Sequence, residues 1–307
     1  MVLYDNRGDS VNRYLYNKKA IAFFLLPALV IYCAIVLLPI LITAYYGLFE
    51  YNGMGAMHFI GLENYKRLFF EDKYFMTAIF NSLKLAGASV FIQLPISLAL
   101  AIVLARGVRF EKFYRTVYFL PVVISSIVIG QLWLMVFNGD HGLLNKFLIY
   151  IGLEKYASGW TGMESTAFLT TVIPSIWQYI GYHMIIMYAG IKSIPTELYE
   201  AAQIDGATSW QLAIKITIPL LTPILKICVT FALVGSLRAF DLVYIMTGGG
   251  PFHASEVPST LMFANLFRKG LYGYGSAQAF FIVLECLLIS QVVRLVFKKS
   301  EDTAAAV

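Results

Sequence analysis

Six long apolar runs, at approximately 20–47, 77–105, 116–137, 167–190, 220–246 and 277–297, constrain this chain more than any other feature. A bilayer core about 30 Å thick needs roughly 20 predominantly apolar residues per helix. Lipid offers the backbone no hydrogen-bond partner, so such runs form helices or a closed barrel, and their continuous rather than alternating hydrophobicity excludes the barrel. The expected fold class is therefore all-α, a polytopic membrane protein with six transmembrane helices in a single domain. Composition agrees: 59% of the 307 residues are hydrophobic and 13% are charged, against about 45–50% and about 25% in soluble domains.

Lys18 and Lys19 precede the first run as they would in a secretory signal, but the run is too long for one and no small-residue cleavage site closes it. It reads as an uncleaved first span. Counting Lys and Arg on alternate sides of the six spans gives 14 on the side of both termini and 7 on the other. The positive-inside rule then puts both termini in the cytoplasm. The net charge of +5 is accounted for by topology, without nucleic acid. Cys33, Cys228 and Cys286 fall inside apolar runs without metal-type spacing and read as small packing residues.

The external connections of roughly 25 to 30 residues leave no room for an independent domain. On the cytoplasmic side, 106–115 is a short loop, while 191–219 is long enough for two short helices. Ser193 and Thr196 are cap candidates, Pro195 suits a first helical turn, and Glu197 and Glu200 sit near the positive end of the helix dipole. Gly206 is able to end this helix in the left-handed conformation. Thr208 or Ser209 would cap a second helix, and Pro219 marks a bend into the fifth span. A protruding helix with an alanine face, a tight turn and a carboxylate fits a groove on another protein, the carboxylate setting register. By pattern alone, an amphipathic helix lying on lipid headgroups is an equal alternative.

The order Glu200-Ala201-Ala202, three residues, Gly206, nine residues and then Ile216-Thr217-Ile218-Pro219 resembles the EAA signature of binding-protein-dependent ABC importer permeases. Ile218 stands where that family usually has leucine. The passages Phe59 to Tyr65, Phe240 to Tyr244, Thr247 to Pro251 and Gly273 to Ala277 are similar to carbohydrate permeases of the maltose type, larger subunit, in a six-span form without the maltose protein's extra amino-terminal spans and periplasmic insertion.

The resemblance implies a type I ABC importer permease fold in the bacterial cytoplasmic membrane. Glu200, Ala201, Ala202, Asp205 and Gly206 would form the coupling helix that sits in a cleft of the ATPase. The implied partners are a second homologous permease, a cytoplasmic ATPase dimer and an extracytoplasmic solute-binding protein, with a sugar or oligosaccharide as cargo. No G-x-x-x-x-G-K-[ST] phosphate loop is present. The chain is therefore expected to be no enzyme and to carry no cofactor or metal, ATP and Mg being bound by the partner ATPase.

Polar and aromatic side chains inside spans are costly and are functional suspects. Trp177, Gln178, Tyr179, Tyr182 and His183 cluster in the fourth run, and Ser236, Arg238 and Asp241 in the fifth. By resemblance, Ser175, Tyr179, Tyr182, Ser236 and Ala239 would face the sugar. Aromatic rings suit the C–H faces of sugars, and hydroxyls need donors and acceptors at a few points. The competing reading is an interfacial aromatic belt or interhelical hydrogen bonding. Arg238 and Asp241, three apart, would meet on one helix face as a structural ion pair or touch sugar directly. Lys84 is expected near the outer end of the second span, snorkelling, and Pro95 and Pro121 are expected to kink the second and third spans. The rival cargo is glycerol phosphate or another small anionic or cationic solute. A self-contained secondary transporter is disfavoured by six spans without an evident repeat.

Overall fold

The computed structural model describes residues 18–304, so Arg7 and Arg13 of the charge count lie outside the described residues. The chain opens with α1 (Lys18–Tyr32), a π-turn over Cys33–Leu37 and α2 (Leu38–Tyr46). A two-residue hairpin follows, β1 (Phe49–Glu50) antiparallel to β2 (His58–Phe59), and then α3 (Glu63–Phe70). The second membrane segment is α4 (Lys73–Ala88), a π-turn over Ser89–Gln93 and α5 (Leu94–Ala105). Next come α6 (Glu111–Val123), α7 (Ser126–Val136) and α8 (Leu143–Tyr150). The long α9 (Glu164–Lys192) leads to α10 (Thr196–Ile204), α11 (Ser209–Leu212), a π-turn over Ala213–Thr217 and α12 (Ile218–Leu220). The chain closes with α13 (Thr222–Leu237), α14 (Asp241–Met246), α15 (Pro258–Phe263) and α16 (Tyr272–Ala304).

Among the described residues, four helical stretches are long and apolar enough to cross a membrane: Ile21–Tyr46, Lys73–Ala105, Thr222–Met246 and Tyr272–Lys298. A fifth is obtained if α6 and α7, bent by 97°, count as one span. At 29 residues, α9 is about 44 Å long at 1.5 Å per residue, but Thr, Ser, Gln, Tyr and His dilute its hydrophobicity. Half of it is nevertheless buried, because it packs along α5, α6 and α13.

Prolines explain three of the π-turns. Pro39, Pro95 and Pro219 each stand two residues after the last π residue, and in each case the amide just before the proline donates five residues back, as Leu94 does to Ser89. Proline removes one i→i−4 bond and its ring crowds the carbonyl four residues earlier; widening the turn relieves both. The second span is thus widened ahead of Pro95, and Pro219 sits in a helix entered through a π-turn rather than at the expected open bend.

The third segment bends near Pro121, where a kink was expected, but as a full break of 97°. It breaks after Pro121, at Ile124 and Ser125, where the backbone is extended and the Ser125 hydroxyl caps α7 by accepting from the Ile127 amide. The fifth segment also breaks. Helix α13 ends at Leu237, Phe240 takes φ −140° and ψ −60°, and helix resumes at Asp241. Lys84 lies about three turns into α4, its ammonium 5.9 Å over the Phe168 ring, rather than at the span's end.

The central core forms where α5, α9 and α13 meet, from Leu94, Ala101, Leu104, Met184, Met187, Leu221, Cys228 and Ala232. Cys228 is fully buried there, as a small apolar side chain. Two close approaches fix the neighbours: Ser97 Oγ donates to Ile180 O across α5 and α9 at 2.8 Å, and Gly181 lies against the Tyr118 backbone of α6. By contrast, none of the apolar window of the first helix is buried; its end, α2, alone touches α16 closely.

The longer connections between the apolar segments are folded. Asn145 joins Gly139, Ser158 and Trp160 in the loop around α8. Asn81 of α4 donates to the carbonyls of Ala254 and Glu256, at 2.9 and 3.0 Å, in the loop before α15. In that loop burial pushes the Glu256 carboxyl above the ordinary carboxylate range, partly offset by His253, whose Nδ1 lies 3.1 Å away.

Candidate functional site

Ser175, Gln178, Tyr179, Tyr182 and His183 fall at helical spacings of three, four, seven and eight, so they form one stripe along α9. That stripe faces a cleft of about 620 Å³, within the 300–1,000 Å³ range usual for small-molecule sites. Across from it stand Ser89 and Gln93, brought in by the π-turn of the second segment, and Ser126 at the start of α7. The break between α13 and α14 supplies Ser236, Arg238, Ala239, Phe240 and Asp241.

All five residues expected to face a solute, Ser175, Tyr179, Tyr182, Ser236 and Ala239, line this one cleft. Their chemistry differs from the expectation. Ser175 donates to Thr171 O at 2.7 Å, while Ser236 donates to Ala232 O at 2.8 Å and lies 3.0 Å from Ser89 Oγ, so both hydroxyls are already engaged. Tyr179 and Tyr182 sit edge to face with ring centroids 6.5 Å apart, and neither hydroxyl has a hydrogen-bond partner among the described residues. The Nδ1 of buried His183 also lacks one.

Arg238 and Asp241 do not form the expected ion pair. The helical break intervenes, and among the described residues neither makes a salt bridge within 4.0 Å. Sequence reasoning missed Ser89, Gln93 and Ser126. Gln93 and Pro95 were a local signal for a widened turn carrying a polar residue, but which helix it would face depends on tertiary packing.

The second cluster is the 191–219 segment. Helix α10 begins after Pro195, which stands at the N-cap and provides no side-chain cap; Ser193 instead donates to Gly190 O at the end of α9. Gly206 has φ +79°, with Gly206 N–H donating to Gln203 O at 3.0 Å and Ala207 N–H to Ala202 O at 2.9 Å. Thr208 and Gln211 form a reciprocal capping box for α11. Glu200, Ala201, Asp205 and Gly206 are exposed and Ala202 is half-buried, so they gather on one projecting knuckle. Ile204 and Trp210, unremarked in the sequence as contact residues, are 86% and 73% exposed beside them.

This knuckle is tied back to the bundle. The Tyr199 hydroxyl lies 3.0 Å from Thr217 Oγ1 in the π-turn leading to α13, Arg106 donates to Ser209 O at 3.0 Å, and Lys192 donates to Ala105 O at 2.7 Å. From Thr217 the chain continues through α12 and α13 to Ser236 at the cleft.

A family model described as "binding-protein-dependent transport system inner membrane component" matches residues 93–301. A probable ABC transporter permease protein of Bacillus subtilis, YurN, is 38% identical over 289 residues, 93% of this chain and 98% of that one. The probable permease AmyD of a starch degradation products transport system in Thermoanaerobacterium thermosulfurigenes is 31% identical, covering 91% and 94%. A chain of a bacterial ABC transporter involved in import of the acidic polysaccharide alginate superposes with a TM-score of 0.78 at 23% identity, covering 96% of this chain and 99% of that one, which speaks to the fold.

Proposed function

The chain belongs to the binding-protein-dependent transport system inner membrane component family, and from that premise we propose that the cleft between α9 and the α13–α14 break is its passage for sugar. The protein is a multi-pass permease subunit of an ABC importer of sugars, not an enzyme; ATP hydrolysis resides in a separate subunit. Similarity to a permease for starch degradation products favours sugar over the glycerol-phosphate and small-ion alternatives.

The observation that carries the proposal is the convergence of Ser175, Tyr179, Tyr182, Ser236 and Ala239 on one cleft. The two tyrosines offer ring faces and unengaged hydroxyls, which suits a solute that is apolar on its C–H faces and polar at its edges. This also supports α9 as a sixth membrane crossing: its polar residues face a cleft and neighbouring helices instead of lipid. With both termini cytoplasmic, as the charge count favours, the knuckle of Glu200, Ala201, Ala202, Asp205 and Gly206 projects into the cytoplasm. It would sit in a groove of an ATPase subunit, and movement there would reach the cleft through Tyr199, Thr217 and α13 as a shift between two arrangements. ATP and Mg would be bound by that ATPase. A second permease would complete the passage, and an extracytoplasmic binding protein would deliver the solute.

Three variants separate the two roles. Glu200→Ala, or a bulky residue at Gly206, is expected to leave the bundle folded and weaken co-purification of the ATPase. Tyr182→Ala is expected to keep the ATPase bound and impair uptake. Normal assembly and uptake in the first pair would refute the coupling assignment, and normal uptake in the last would refute the cleft assignment.

A further inference from the structure

The cleft holds two formally charged side chains whose helix has been broken between them. Arg238 stands at the C-cap of α13 and Asp241 is the first residue of α14. In an unbroken helix the spacing of three would let them close on each other. Here the non-helical Phe240 keeps them apart, both are exposed to the cleft, and neither has a hydrogen bond or ion pair among the described residues. An unpaired guanidinium and carboxylate inside a membrane bundle are costly, so a solute that satisfies both is favoured over one that satisfies either alone.

We propose that Arg238 and Asp241 together determine specificity in the cleft, selecting an uncharged polyhydroxylated solute and rejecting acidic ones. This rests on the reading of the cleft as the sugar passage. Apart from His183 and the phenols of Tyr179 and Tyr182, these are the only ionisable side chains among the lining residues, one of each sign, so the cleft has no net formal charge with which to neutralise an anion. Vicinal hydroxyls are donors and acceptors at once: Asp241 accepts from one, Arg238 donates to the next, and such charge-assisted bonds are roughly twice as strong as neutral ones. A solute carboxylate in the cleft would share that space with the Asp241 carboxylate, a like charge, as well as with Arg238.

The test uses the complete transporter in nanodiscs, titrated with maltotetraose and with tetragalacturonate, its acidic counterpart of equal length, and read by native mass spectrometry. The wild type is expected to bind maltotetraose at least about tenfold more tightly, the effect of one charge-assisted hydrogen bond. D241N should weaken maltotetraose and strengthen tetragalacturonate, closing the gap. R238Q should weaken maltotetraose with no gain for the acid. D241E, which keeps the charge, should keep the preference, and R238K likewise; if D241N does not assemble, the R238Q and R238K pair decides. A wild type without preference, a D241N complex with the wild-type ratio, or a D241E complex that loses preference as D241N does would overturn the proposal. If the wild type binds neither tetrasaccharide, the reading of the cleft falls with it; if maltotetraose binds and the ratio is unmoved by D241N, only the specificity proposal falls.

Discussion

Replacing Gly181 by alanine should separate two helices that the fold holds in backbone contact. A Cβ built at Gly181 would lie 1.8 Å from Tyr118 O and 2.9 Å from Phe119 N. Ordinary C···O approach is about 3.3 Å, so α6 and α9 would have to part by about 1.5 Å. No side chain is available to rotate away, because the obstructing atoms are backbone, which places the overpacking cost near the upper end of the usual ~1–3 kcal/mol. Alanine returns about 1 kcal/mol of helix preference over glycine, leaving a net loss of about 2 kcal/mol. Gly87 provides the control: it is interior to α4 and a Cβ there would meet nothing within 4 Å, so G87A should gain about 1 kcal/mol. In the purified transporter, thermal unfolding should fall by on the order of 5 °C in G181A and rise by about 2 °C in G87A. Because Tyr182 and His183 follow Gly181 directly, G181A should also lower solute binding. A G181A protein as stable as G87A would refute the backbone contact between α6 and α9.

Tyr199→Phe should remove one hydrogen bond, worth about 1 kcal/mol, between the knuckle and the α13 base; assembly should persist while sugar moved per ATP hydrolysed falls, and an unchanged ratio would contradict the transmission route. The buried Glu256 carboxyl has its proton affinity raised by the fold, so its contribution to loop stability is full below the unfolded carboxylate pKa of about 4.3 and is lost as pH rises through the higher folded value. Hydrogen exchange over residues 247–257, corrected for intrinsic rates, should therefore show protection declining from pH 4 to 8 in the wild type and a smaller decline in Glu256→Gln; equal pH dependence in both would refute that assignment.

Four of the six apolar runs were legible as long apolar helices because their signal is local. Uninterrupted apolar runs locate the segments without knowledge of their neighbours, and the boundaries moved by only a few residues, as from 20–47 to Ile21–Tyr46. Gly206 and Thr208 were legible for the same reason, since a left-handed residue and a capping box are decided within a few positions. The breaks were not. Pro121 marked a kink in the third run, but nothing local marked that helix would stop altogether at Ile124 and Ser125. The Arg238–Asp241 spacing pointed to an ion pair only on the premise of unbroken helix. Ser89 and Gln93 reach the cleft from a segment more than 80 residues before α9's stripe, a juxtaposition that no local pattern contains. For α9 the signal was partly self-cancelling: the polar residues that line the cleft also lower its hydrophobicity.

Uptake into sealed proteoliposomes tests whether this chain passes sugar as part of an ATP-driven importer. The chain would be reconstituted with its companion permease and ATPase, ATP enclosed, and labelled sugar supplied outside with the binding protein. Saturable sugar accumulation that requires ATP, the ATPase subunit and the binding protein together is the expected result. Accumulation by this chain alone, driven by an ion gradient with no ATPase present, would show it to be a self-contained secondary transporter instead.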